Sequence, residues 1–407
     1  MRILEVSRYK DNFADHQLPF VTEQGGAIAK CLRESPVYGV KCKVVGEPSE
    51  VEYFLVKGNY ITAVKALKAK IREFKPDIIH AHYGLSAITA ELQNMVPVVT
   101  TFHNGETLNP IVNFACSLMS LRAKHVIYVA QHIREKVYFK AKHYSIIPCG
   151  VPMEQMTIIP KDEARKQLGW SEDKKYILFG GAFNNLRKNY PLLRSAIEIL
   201  CNQKNTEKNK ESQAHVAQSV IANQSANEQD SLQPNCQSLS TDTDKSYLLD
   251  SLQKTQKISS SEYNWMSIDG GEQYGDIVCV EMKGLSRAEC VLRMNACDLF
   301  ALPTKNEGSP QALKEAMACN CPIVATDVAD IKHLLGDLPG HYILANKCGT
   351  PADWDGDEHA ADELAELLKK AMAFEGRTKG RERITELGLT NELVAKRIIR
   401  IYEDIIR

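Results

Sequence analysis

Two carboxylates, Glu307 and Glu315, stand eight positions apart in the run "EGSPQALKE". Between them, Ser309 reads as a helix N-cap and Pro310 as the first helical residue. The run before them, "CDLFALPT" from Cys297 to Thr304, is short and apolar and reads as a buried strand. A helix start just beyond a strand end is where open α/β sheets take ligands. Its free N–H groups attract an anion such as a diphosphate, with Gly308 and Gln311 flanking the approach. Glu307 falls on the loop and Glu315 about a turn and a half into the helix. At about 1.5 Å rise per residue, the pair can reach either end of an extended phosphorylated ligand. Carboxylates accept hydrogen bonds, so each can hold two hydroxyls of a sugar or a ribose. That arrangement suits a nucleotide-sugar; on spacing alone it fits a pair of solvated surface acids equally well.

A diphosphate leaving group needs positive charge opposite the acids. Arg187 and Lys188 supply it in "FGGAFNNLRKNYPLL", a strand, a loop and a helix. Alone, the two cations would be an exposed basic turn. Gly25-Gly26 reads as a helix start or a turn. His103 ends the strand "VVTTFH", with Glu106 three residues on. His80 and His82 end another strand, followed by Tyr83, and their spacing puts both rings on one face. No third metal ligand is identifiable beside them, so no metal site is expected and a place along a cleft is the better reading. The helix from Ile61 to Phe74 carries Ile61, Val64, Leu67, Ile71 and Phe74 on one stripe, with Lys65, Lys68, Lys70, Arg72 and Lys75 around it. It reads as a sheet-covering helix with a solvated basic face, or as a surface for anionic lipid.

The elements that must position these residues alternate. In the first half, "RILEV", "KCKVVG", "PDIIHAH", "VPVVTTFH" and "HVIYVA" read as strands, with helices around Gly26 to Arg33 and over 61–75. Such alternation predicts a parallel, doubly wound sheet. The pattern restarts with "KYILFGG", the helix "PLLRSAIEIL", and the strands "DIVCVEM", "CDLFALPT" and "PIVATD". Two Rossmann-like α/β domains facing a cleft are therefore expected, over 1–152 and 153–390. A last helix over 391–407 is expected to cross back to the first domain. Residues 202–275 are rich in Gln, Asn, Ser, Lys and Asp and cannot bury enough apolar surface to offset ordering, so they read as a polar insertion.

With 44% hydrophobic and 25% charged residues and a net charge of −1, the 407-residue chain reads as a soluble globular protein. No basic excess points to nucleic acid. The start "MRILEVSRYK" reads as a first strand and no apolar run is long enough to span a bilayer. A cytoplasmic protein is expected, with peripheral contact at the inner face of the membrane left open. Twelve scattered cysteines have no zinc-ribbon spacing and read as reduced, mostly buried thiols, Cys116, Cys279, Cys297 and Cys319 among them.

The run from Glu307 to Ile331, "EGSPQALKEAMACNCPIVATDVADI", resembles the signature of the retaining glycosyltransferases of family 4, which have the GT-B fold. The resemblance implies that Glu315 holds the donor ribose and Glu307 the transferred sugar, with Lys188 on the diphosphate. It further implies that Gly25-Gly26 approach the diphosphate by their backbone and that His103 faces the reaction centre. Two positions depart from the family pattern: Ala182 stands where many relatives have arginine, and Glu106, expected with His82 and Tyr83 on the acceptor side, stands where aspartate is common. The implied activity is metal-independent transfer from a nucleotide-sugar, UDP being the commonest base, to a glycan, lipid-linked or small-molecule acceptor. The nucleotide-sugar is a substrate, and no cofactor is implied. Nucleotide-sugar epimerisation and a non-catalytic sugar-nucleotide scaffold are the alternatives.

Overall fold

Short runs of branched apolar residues, buried on both faces, form two largely parallel sheets. The computed structural model describes residues 1–9, 19–34, 51–206, 210, 271–345 and 359–407. In the first half, β1 (Ile3–Arg8), β2 (Val51–Val56), β3 (Ile78–His82), β4 (Val98–Phe102), β5 (His125–Tyr128) and β6 (Tyr144–Ile146) pair in the order β2-β1-β3-β4-β5-β6. The helices between them are α1 (Pro19–Glu34), α2 (Ala63–Phe74), α3 (Gly84–Glu91), α4 (Pro110–Ser120) and α5 (Gln131–Lys136). The strand expected at "KCKVVG" lies outside the described residues.

Helix α2 buries Leu67, Ile71 and Phe74 against the sheet, and Lys70 Nζ pairs with Glu52 Oε2 of β2 at 2.6 Å. Ile61 precedes the helix and is 67% exposed, so it is not part of the buried stripe. Of the rest of the stripe, Leu67, Ile71 and Phe74 lie in the core and Val64 is half-buried.

The second sheet holds β7 (Lys175–Phe179), β8 (Gly271–Tyr274), β9 (Ile277–Glu281), β10 (Leu299–Leu302), β11 (Ile323–Thr326) and β12 (His341–Leu344), in the order β12-β11-β10-β7-β9-β8. Its helices are α6 (Lys161–Leu168), α7 over 190–206, α8 (Arg287–Ala296), α9 (Gln311–Ala318), α10 (Ile331–Leu335), α11 (Ala360–Ala373) and α12 (Gly380–Glu386). Both ends of the expected insertion are ordered: α7 runs to residue 206, and 271–274 form the antiparallel edge strand β8. Tyr274 explains the second case, because it buries its ring in the core beside Ile277 and Tyr190.

The last helix, α13 (Asn391–Ile406), leaves the second half and packs on α1. Its Val394, Ile398, Ile399 and Tyr402 share one core with Ile3, Ile28 and Ile78. Two chain crossings lie side by side here, joined by a bridge between Val151 and Thr390.

Candidate active site

Strands β7 and β10 are parallel neighbours, and from them the chain proceeds in opposite directions across the sheet, β7 toward β9 and β10 toward β11. This is a topological switch point, so the loops after the two strands open on one crevice. In the loop after β7, the Asn185 side chain accepts from the Arg187 N–H and Asn189 takes a left-handed φ of 59°. The resulting tight turn, Leu186–Lys188, aims both cations at the neighbouring loop. Lys188 Nζ lies 2.6 Å from Glu307 Oε1, and Arg187 Nη1 lies 3.1 Å from Oε2. The Thr304 hydroxyl donates to Glu307 Oε1 at 3.1 Å. Burial pushes the Glu307 carboxyl up, but Lys188 and Arg187 outweigh it and hold the pKa below the usual carboxylate value.

Helix α9 starts at Gln311, with Pro310 as its extended cap residue and no side-chain cap. Ser309 is therefore not the N-cap expected from sequence, because the ψ of 111° at Pro310 keeps the chain extended one residue longer. Gln311 Nε2 donates to the Gly150 carbonyl at 2.7 Å. Gly308 marks where the two halves touch: a Cβ there would lie 2.8 Å from the His103 carbonyl oxygen. Beside it opens a cavity of about 370 Å³, walled on one side by Tyr83, His103 and Cys149 and on the other by Arg187 and the run Glu307–Gln311.

Glu315 is buried apart from this cavity and ion-paired with Arg287 at the start of α8. The same guanidinium pairs with Glu23 of α1, so it bridges both halves. Burial pushes the Glu315 carboxyl up and Arg287 only partly offsets this, leaving it raised. Sequence reading missed Arg287. The Ser286–Glu289 capping box marks its helix start, but nothing in the one-dimensional pattern sets it against Glu315.

His103 heads a buried chain of polar groups. Its Nε2 lies 3.2 Å from His82 Nδ1, and His82 Nε2 lies 2.7 Å from Glu5 Oε2. A carboxylate can only accept, so His82 donates to Glu5 through Nε2. His103 Nδ1 lies 3.7 Å from the Cys149 sulfur. Burial first, then His82 and Lys314, hold the His103 pKa well below the ordinary histidine value. His82 is fully buried behind His103 rather than lining the cleft as expected from its strand-end position. Glu5 also supplies the third ligand-capable side chain that the sequence did not reveal, within 4.8 Å of His80 and His82. The His80 nitrogens already meet the Tyr402 hydroxyl at 2.6 Å and Thr101 Oγ1 at 2.7 Å, whereas the buried Glu5 Oε1 has no hydrogen-bond partner.

Two further expectations are corrected. Glu106 is buried and turned inward: Oε1 accepts from the Gly84 N–H at 2.8 Å and Oε2 from the His103 N–H at 3.3 Å. Its carboxylate fixes the His103 loop and does not line the cavity beside Gly308. Gly25 and Gly26 lie inside α1, whose start is Pro19, a residue suited to a first turn because it lacks the N–H. Gly25 is small because a Cβ would run into the Tyr53 ring and hydroxyl. Gly26 borders a separate cavity of about 500 Å³ between α1 and α13. All nine described cysteines are free thiols, eight of them buried.

Residues 31–155 match the model of Glycosyltransferase Family 4, and residues 278–370 that of Glycosyl transferases group 1. TuaC of Bacillus subtilis (strain 168), assigned as a teichuronic acid biosynthesis glycosyltransferase, is 26% identical over 281 residues. That likeness covers 66% of this chain and 57% of TuaC. Among solved structures, sucrose-phosphate synthase from Thermosynechococcus elongatus superposes with a TM-score of 0.61 at 15% identity, over 100% of this chain and 99% of that one. Anabaena HepE, solved with UDP and with UDP-glucose, gives 0.58 at 14% identity, over 99% of this chain and 100% of its own. The architecture is GT-B, two Rossmann-like domains facing a cleft. Over residues 31–155 and 278–370 the chain is similar to the family 4 and group 1 glycosyltransferases.

Proposed function

We propose that the protein transfers a sugar from a UDP-sugar to an acceptor hydroxyl with retention of anomeric configuration. The observation that carries this reading is the convergence of Lys188 and Arg187 on Glu307 at the sheet's switch point, opposite His103. The C-terminal half holds the donor and the N-terminal half the acceptor. As the C–O bond to the diphosphate breaks, Lys188 and Arg187 turn from Glu307 to the departing oxygens and neutralise the charge that develops there. This supplies from side chains the positive charge that a divalent ion would otherwise bring. Glu307, freed of its cations, holds hydroxyls of the oxocarbenium-like sugar. The acceptor oxygen attacks the face the diphosphate leaves, and the leaving phosphate takes its proton. No enzymatic nucleophile is needed, and His103 Nδ1 orients a hydroxyl at the reaction centre.

Glu315 takes the donor ribose once Arg287 releases it. Ser309, Pro310 and Gln311 border the donor, and the N–H groups of Ser309 and Gln311 at the start of α9 favour its phosphates. Tyr83 lines the acceptor side. UDP is assigned as the base on the family pattern, with HepE as a structural parallel. The acceptor is a glycan or a lipid-linked saccharide, met at the cytoplasmic face of the membrane.

UDP-glucose turnover with and without acceptor extracts tests the reading. Glu307→Gln should lower transfer at least about a hundredfold while leaving UDP affinity, measured by calorimetry, within about threefold, because its loss removes a group used on the sugar. Wild-type turnover in that variant, or dependence of the parent on added Mg²⁺ or Mn²⁺, would contradict it.

A further inference from the structure

Helix α4 leaves an apolar face uncovered. Ile111, 80% exposed, and Phe114, 52% exposed, are followed by exposed Leu118 and Leu121. At about 100° per residue these four side chains fall within roughly 80° of arc, so they form one stripe. Leu108 before the helix and Tyr138 beside it extend the exposed apolar surface. Phe114 stands 5.3 Å, ring to ring, from Phe139, and Asn113 Nδ2 donates to the Lys136 carbonyl at 2.9 Å. The segment over 136–142 therefore lies against α4.

Charge gathers at the same place. Residues 107–144 contain Arg122, Lys124, Arg134, Lys136, Lys140 and Lys142 against the single acid Glu135, although the whole chain has a net charge of −1. All of these cations except Arg134 are exposed. A row of large apolar side chains rimmed by cations is the pattern that sinks into the headgroup boundary of an anionic bilayer. A protein partner of basic character would be repelled by that rim. Leu108 also lines the cavity that holds His103 and Glu307, so the stripe runs up to the mouth of the cleft.

We propose that the α4 face, with the basic segment beside it, docks the protein on an anionic lipid bilayer and turns the acceptor side of the cleft toward the membrane. The proposal draws on the transferase reading only for the meaning of that orientation. Docking itself needs neither donor nor turnover, so the two can fail separately.

The test is flotation of the full chain with phosphatidylcholine vesicles containing phosphatidylglycerol, against vesicles of phosphatidylcholine alone, in the absence of nucleotide. The parent should float with the anionic vesicles and release as salt is raised. Ile111→Ser combined with Leu118→Ser, and separately Lys140→Glu combined with Lys142→Glu, should each weaken binding at least about tenfold. Circular dichroism should be unchanged in both, because every altered side chain is exposed. Lys65→Glu with Arg72→Glu, on the basic helix α2, should leave flotation as in the parent. The proposal is overturned if the parent does not float. It is equally overturned if the α4 variants float like the parent, if the α2 variant loses binding as they do, or if Ile111→Ser disperses a dimer of a parent that ignores vesicles.

Discussion

His103 and His80 are both held well below the ordinary histidine pKa, by burial first and by neighbouring charge second. A histidine depressed in the folded state contributes stability that is present above its unfolded pKa and declines as pH falls through about 6.5. Each can contribute a slope of up to about 1.4 kcal/mol per pH unit on the acid side. Glu91, pushed up to about 8 by burial, runs the opposite way, so the informative quantity is a difference between variant and parent. Replacing His103 by Gln should make the variant gain on the parent as pH drops from about 7.5 to about 5.5. Urea unfolding at the two values measures it, and a constant difference would mean that His103 takes up its proton equally in the folded and unfolded chains. The origin of this behaviour was hidden in the sequence. Glu5 sits mid-strand in an apolar run, which is a sign of a buried polar site. That it meets His82, however, depends on the parallel register that sets Glu5 opposite His80.

Helix α13 is tied to the first sheet by apolar packing and by the Tyr402 hydroxyl on His80. Tyr402→Phe keeps the ring and strands a buried imidazole nitrogen, which should cost about 1–3 kcal/mol. Chemical denaturation would show it, and an unchanged midpoint would mean that water satisfies the nitrogen. Most elements were legible because their signals are local. Strand β10 is a continuous apolar run, and α2 carries a clear stripe. The misses were elements whose stability comes from elsewhere. Edge strand β2 is only half-buried along "VEYFLV". Helix α1 runs through two glycines that read as punctuation, and the Tyr53 ring against Gly25 is what makes the first acceptable. The loops carrying Lys188 and Glu307 were placeable because each follows an obvious strand. Their meeting required β7 and β10 to be neighbours.

The two halves are held face to face by polar contacts from several elements. Arg287 bridges Glu23 and Glu315, Lys314 Nζ donates to the Cys149 carbonyl at 2.5 Å, and Asn104 bonds Asn306 at 3.1 Å. Removing Arg287 would leave Glu315 buried beside a second carboxylate. Arg287→Ala should therefore destabilise the closed arrangement by about 1–3 kcal/mol. Small-angle scattering should then report a larger radius of gyration, and an unchanged profile with unchanged stability would show the bridge to be idle. The return of α13 to the first sheet has a consequence for biosynthesis. His80 and Tyr402 are separated by 322 positions, so the first sheet emerges from the ribosome with one side of its core unfilled. At about 5–20 residues per second, that side stays bare for roughly 20 to 60 s. When α13 is made, the second sheet already has its full complement of strands. The N-terminal half, translated first, is thus the last to complete its core.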